Sequence, residues 1–212
     1  YGVFRTNRQE RKDFDRPILW LPQEVDSSSG GQLFVDDPRV GPLSGHLLHT
    51  SFGKGWCYAL QLQEVGDKMQ ASCVTLPFQF DAGVQRARVN PADGQVYLVG
   101  LSGWQGPRGG DDGCLQRLRY TGRPGTMLLG ASVAGKDRLV LRFSGPVGDA
   151  AADPERYEAE QWNYRWAARY GSDQWSARDP QRRGHDELEV TGARLLDGNR
   201  VELAIPGLQP VD

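Results

Sequence analysis

The sequence predicts an all-β chain, and three observations predict it. Of 212 residues, 27 are Gly and 13 are Pro against 38% hydrophobic residues, a balance that suits many short strands and turns rather than long helices. Polar and apolar residues alternate with a period of two in Val84-Gln85-Arg86-Ala87-Arg88-Val89 and again across 114–120. Between them Asn90-Pro91-Ala92-Asp93-Gly94 is turn chemistry feeding the apolar, β-branched run 96–101.

In chain order, residues 1–16 are charged and irregular and read as a solvated lead-in. Pro17-Ile18-Leu19-Trp20-Leu21-Pro22 is a short apolar run between prolines, expected as an edge or first strand. The small polar loop Val25-Asp26-Ser27-Ser28-Ser29-Gly30-Gly31 leads into the strand Gln32-Leu33-Phe34-Val35, and a second strand is expected over 46–52. Segments 56–63 and 69–76 make a hairpin around Val65-Gly66-Asp67. An internal echo follows: Gly31-Gln32-Leu33-Phe34-Val35 lines up with Gly94-Gln95-Val96-Tyr97-Leu98, each followed by a Gly/Pro/Asp loop and another strand. That is the grammar of repetitive β-blades, and residues 1–124 are expected to form a partial β-propeller of about two blades. A propeller closes with ~4–8 blades, so the rest is expected upstream or on a partner.

After Gly122-Arg123-Pro124-Gly125 the pattern changes, and residues 125–212 are expected to form a small β-sandwich. Strands are expected over 127–133, 138–143, 187–196 and 200–205, the last two joined by the hairpin Leu196-Asp197-Gly198-Asn199. Asp153-Pro154 supplies an N-cap and a proline at the first helical position, so a helical turn begins there. Beyond it Trp162, Tyr164 and Trp166 alternate as on a strand, while Tyr157, Gln161 and Tyr164 also fit a helix face; a short turn followed by a strand is expected.

A formal net charge of −2, with both signs interleaved, leaves no electrostatic footprint for nucleic acid. No apolar run is long enough to cross a bilayer as a helix, and neither a signal peptide nor an initiator Met is present. Opening on Tyr1-Gly2-Val3, the chain reads as a piece of something longer.

Several residues carry candidate chemistry. Cys57, Cys73 and Cys114 match neither a zinc nor a haem-attachment spacing; Cys57 and Cys73 flank the hairpin turn and read as a cross-strand disulfide or as two buried thiols. His46 and His49, three apart on one strand, point to opposite faces and make a poor metal pair. His185 stands beside Asp186 without a nucleophile motif. Asp36, Asp37, Asp111 and Asp112 sit in Gly/Pro loops at corresponding places of the two units, as calcium ligands or as solvated turn residues. Asp26 and Ser27, with Arg86 and Arg88 sharing one strand face, read as a channel lining for an anionic or sugar ligand, or as solvent-facing residues. Trp162, Tyr164, Trp166, Tyr170 and Trp175 suit a sugar-stacking platform or burial between domains, and Trp104 has the same two readings.

Two stretches carry a family resemblance. WLPQEVDSSSGGQLFV with GPLSGHLLHTSFGKGWCYALQLQ, and GVQRARVNPADGQVYLVGLSGWQG with DGCLQRLRYTG, resemble the later blades of glucose/sorbosone-dehydrogenase-like propellers. The tail, from RLVLRFSGPV through ADPERYEAEQWNYRW to RVELAIPGLQPV, resembles the Ig-like sandwich that follows such propellers in large secreted bacterial haem-binding proteins. The resemblance implies a periplasmic or secreted parent oxidising a sugar or alcohol with pyrroloquinoline quinone (PQQ) and calcium, and passing electrons to cytochrome c. The family's catalytic-histidine motif has no counterpart here and no haem c attachment motif is present. The chain is therefore expected to be mainly scaffold and channel wall, with catalysis and haem elsewhere in the parent. The alternatives are a non-catalytic carbohydrate- or protein-binding module, or a structural subunit of a larger redox complex.

Overall fold

The computed structural model describes residues 17–102, 111–123, 125–165, 171 and 173–211. The chain is all-β, built from several antiparallel sheets. Sheet one is a four-stranded meander of β1 (Ser29–Phe34), β2 (Leu47–Ser51), β3 (Trp56–Val65) and β4 (Lys68–Gln79). Sheet two is a three-stranded meander of β5 (Gly83–Asn90), β6 (Gln95–Leu101) and β7 (Gly113–Leu118). The hairpin expected at Val65-Gly66-Asp67 forms, with Val65 opposite Lys68 and Gly66 at φ 63°, where glycine avoids the Cβ clash.

Alternation decides how these two sheets pack. Leu33, Leu48 and Ala59 are register partners across sheet one, as are Val89, Val96 and Leu118 across sheet two. Both rows enter one buried cluster with Leu76, Ala87 and Leu98, so the sheets lie face to face. Their backbones approach closely where β1 and β5 are both irregular, between Ser29 and Gln32 and between Val84 and Arg86. A Cβ on Gly30 would lie 2.2 Å from the Val84 carbonyl oxygen, so this approach requires glycine.

Sheet three runs in the order β14 (Gly192–Asp197), β15 (Arg200–Ala204), β9 (Arg138–Phe143), β8 (Leu128–Gly135). Its edge strand β8 lies across β3 and β4. There the Gln63 side-chain amide donates to the Val133 carbonyl and accepts from the Val133 N–H, both at 2.8 Å, standing in for a missing strand. Leu129 joins the first core, so that core crosses the boundary expected at 124/125. A second core gathers Leu188, Val201, Leu203 and Ile205. Two small pairs complete the tail: β10 (Ala159–Gln161) with β13 (Asp186–Leu188), and β11 (Asn163–Tyr164) with β12 (Gln174–Trp175).

The expected turn at Asp153 is a 3-10 helix over Pro154–Arg156, capped by the Asp153 carboxylate accepting from the Glu155 N–H, and strands follow it. Other expectations are corrected. Residues 17–22 form no strand: prolines at both ends remove ladder donors, and the segment meets β4 where the Ala71 N–H donates to the Ile18 C=O. The segment 187–196 is two strands, and His46 precedes β2 rather than lying in it. Cys57 and Cys73 are not register partners, because Cys57 opposes Thr50 while Cys73 opposes Leu60, and all three thiols are free. Burial pushes both Cys57 and Cys73 up to about 12. The internal echo does not mark equivalent positions: Gln32-Leu33-Phe34 lies in the edge strand β1, whereas Gln95-Val96-Tyr97-Leu98 begins the central strand β6.

Candidate functional site

The 22–29 loop turns back tightly onto sheet one. Pro22 C=O accepts from the Val25 and Asp26 N–H groups, which directs Asp26 inward. Its side chain, 1% exposed, accepts from His49 Nε2 at 2.7 Å and from Ser29 Oγ at 2.9 Å. Gln32 Nε2 faces His49 Nδ1 at 3.1 Å. His49 Nε2 donates to the Asp26 carboxylate, so the ring is held between Gln32 on one side and Asp26 on the other. Gln32, His49 and Tyr58 are register partners across β1, β2 and β3, and the fully buried Tyr58 hydroxyl donates to Val25 C=O.

Burial opposes the Asp26 charge, yet the hydrogen bonds from His49 and Ser29, with Ser51 close by, outweigh it and hold the carboxyl below its ordinary value. Tyr58 is pushed up, chiefly by burial and then by the nearby Asp26. These groups face one another and not solvent, so the cluster pins the loop rather than presenting an acid or base to a substrate. Asp26 and Ser27, read from sequence as a ligand-contacting loop, are both buried.

Arg86 and Arg88 share an exposed face, as their spacing requires. Arg86 donates to Gln85 C=O and Gly30 C=O, and Arg88 to Ala87 C=O. The register extends them into two rows across sheet two, Arg86–Val99–Leu115 and Arg88–Tyr97–Arg117. Val99 is 45% exposed, Leu101 48% and Leu115 71%. Among the described residues, none of these three arginines forms an ion pair. Sequence reasoning passed over Val99, Leu101, Leu115 and Arg117, although a signal was there: β6 is apolar on both faces, Val96 and Leu98 inward, Val99 and Leu101 outward. That is how a strand covered on both sides is written.

The four aspartates do not assemble a cation site. The Asp37 carboxylate accepts from Arg39 Nε and Nη2 and from the Arg39 N–H, which together hold it below its ordinary value. Asp36, Asp111 and Asp112 are exposed. The two loops are not equivalent either, since one links β1 to β2 and the other β6 to β7. Among the described residues no three or more His, Cys, Asp or Glu side chains form a metal-binding group.

No protein-family model, curated protein or solved structure matches the chain.

The aromatic residues are engaged. Trp162 stacks on His185 with centroids 4.1 Å apart, and Tyr164 stacks on Trp20 at 4.7 Å. Arg165 and Arg183 lie over the Trp175 ring at 4.6 and 5.3 Å. Trp104, Trp166 and Tyr170 lie outside the described residues. His185 and Asp186 diverge: His185 Nδ1 pairs with Glu160 at 2.8 Å, whereas buried Asp186 accepts from Ser176 Oγ and the Arg178 N–H. The Ser176 bond is the main reason the Asp186 carboxyl stays below its ordinary value.

Proposed function

We propose that this chain is a non-catalytic scaffold within a stack of β-sheets: about two blades of a partial β-propeller over residues 1–124, followed by an Ig-like β-sandwich over 125–212. The observation that carries this reading is the outward face of sheet two, where Val99, Leu101 and Leu115 stand in solvent beside three arginines. Sheet one already stacks on the opposite face, and the open face is the seat of the next β-layer. Covering the exposed parts of these three side chains contributes on the order of 3 kcal/mol towards seating a partner layer, the rest of which its remaining contacts must supply.

In the parent this reading places a quinoprotein-type oxidation of a sugar or alcohol, with PQQ and calcium held by other residues and electrons leaving to cytochrome c, in the periplasm or outside the cell. Its support is the motif resemblance in the two blade-like stretches. The four aspartates do not fit calcium, so no chemical step is assigned to this chain. A carbohydrate platform at Trp162 and Trp175 is the weaker reading, because a sugar would compete with His185 for one ring and with two arginines for the other.

Leu115→Cys in a Cys114→Ser background tests the scaffold role. Maleimide labelling of that cysteine is expected to be fast in the isolated 212-residue chain and at least tenfold slower in protein assembled in its native source. Equal rates in both would overturn the proposal.

A further inference from the structure

A second feature lies apart from the open sheet face. Where the 3-10 turn Pro38–Leu43, the end of β4 and the segment after β7 converge, they enclose a cleft of about 320 Å³, a volume within the range of small-molecule sites. Its walls are apolar, with Leu43, Phe78 and Met127 among them. The Tyr120 ring forms another wall, lying against Gly41, where a Cβ would be 2.4 Å from Tyr120 Cγ; at φ 70° this glycine both permits the turn and leaves room for the ring. Two cations, Arg119 and Arg123, line the cleft, and among the described residues no carboxylate does. Neither arginine forms an ion pair among the described residues.

We infer that this cleft binds a small amphiphilic anion, an apolar body carrying one carboxylate-like headgroup. The body fills the space between Leu43, Phe78, Tyr120 and Met127, which removes apolar surface from water. The headgroup meets the guanidinium groups of Arg119 and Arg123, whose planar forks suit a two-oxygen anion. A cationic or neutral ligand of equal size would leave both arginines without a counter-charge. The inference does not rest on the scaffold reading, because the cleft lies on other residues than the open face.

The test is a titration of the full chain with decanoate below its micelle concentration, followed by calorimetry and by the Met127 methyl resonance. Decanol and decyltrimethylammonium are the neutral and cationic controls. The expected result is saturable one-to-one binding with a shifted Met127 signal. Binding should be at least tenfold weaker for both controls and for the double variant R119Q/R123Q, whose exposed positions leave the fold intact by circular dichroism. Absence of saturable decanoate binding, equal affinity for decyltrimethylammonium, undiminished binding by the double variant, or perturbations confined to Val99 and Leu115 would each overturn it.

Discussion

Replacing Asp26 by Ala should release the 22–29 loop from sheet one at a measurable cost. The Asp26 carboxylate, 1% exposed, is the shared acceptor for His49 and Ser29. A hydrogen bond to a charged group contributes about 1.5–3 kcal/mol, and this carboxylate accepts two of them. The expected loss for Asp26→Ala is therefore about 3–5 kcal/mol at pH 7 by urea denaturation, or a Tm about 6–20 °C lower for a chain of this size. The sign of its pH dependence follows from the lowered carboxyl. Between the unfolded value near 4 and the lower folded value, the unfolded chain binds more protons, so the contribution is full above about pH 4 and fades as pH falls further. The gap between parent and variant should narrow below pH 4. A loss under about 0.5 kcal/mol at pH 7, the scale of an ordinary surface change, or a gap that widens in acid would refute the reasoning.

Three further outcomes are expected. Gly53→Ala would place a Cβ 1.9 Å from the Ser27 carbonyl oxygen, so the loop or β2–β3 connection must shift, with a loss of about 2 kcal/mol or more in urea midpoint analysis. Burial, and then the charge of Arg142, lowers the His46 value, so the folded chain keeps this ring neutral while the unfolded chain protonates it below about pH 6.5. Stability should fall as pH drops below that point, and His46→Gln should flatten the slope between about pH 6.5 and 5 in the same assay. With three free thiols, intact mass should be the same with and without reductant, and Cys57 and Cys73 should resist iodoacetamide at pH 8 until urea unfolds the chain.

The all-β class was legible because strands advertise themselves locally. Period-two alternation marked β5 and β7, and Gly66 and Gly198 marked the β3–β4 and β14–β15 hairpins, since a turn's chemistry is carried within a few residues. The buried cluster was not legible for the opposite reason. Asp26 sits among serines and glycines, a composition that reads as solvated, and its partner His49 lies 23 positions away with no local signal joining them. Likewise nothing around Gln63 announces that its amide will complete the edge of β8, a contact spanning 70 positions. The echo between Gly31 and Gly94 misled because glycine before an apolar strand describes local grammar at any position in a sheet. The open face left a signal in the sequence: β6 is apolar on both sides, with Val96 and Leu98 inward and Val99 and Leu101 outward.

The measurement that bears most directly on the scaffold reading is a density map, at a resolution that separates strands, of the protein purified from its native source. The expected result is a further β-layer seated on the Arg86–Val99–Leu115 and Arg88–Tyr97–Arg117 rows, with carboxylates opposite the guanidinium groups. A map in which both rows face solvent would contradict the reading.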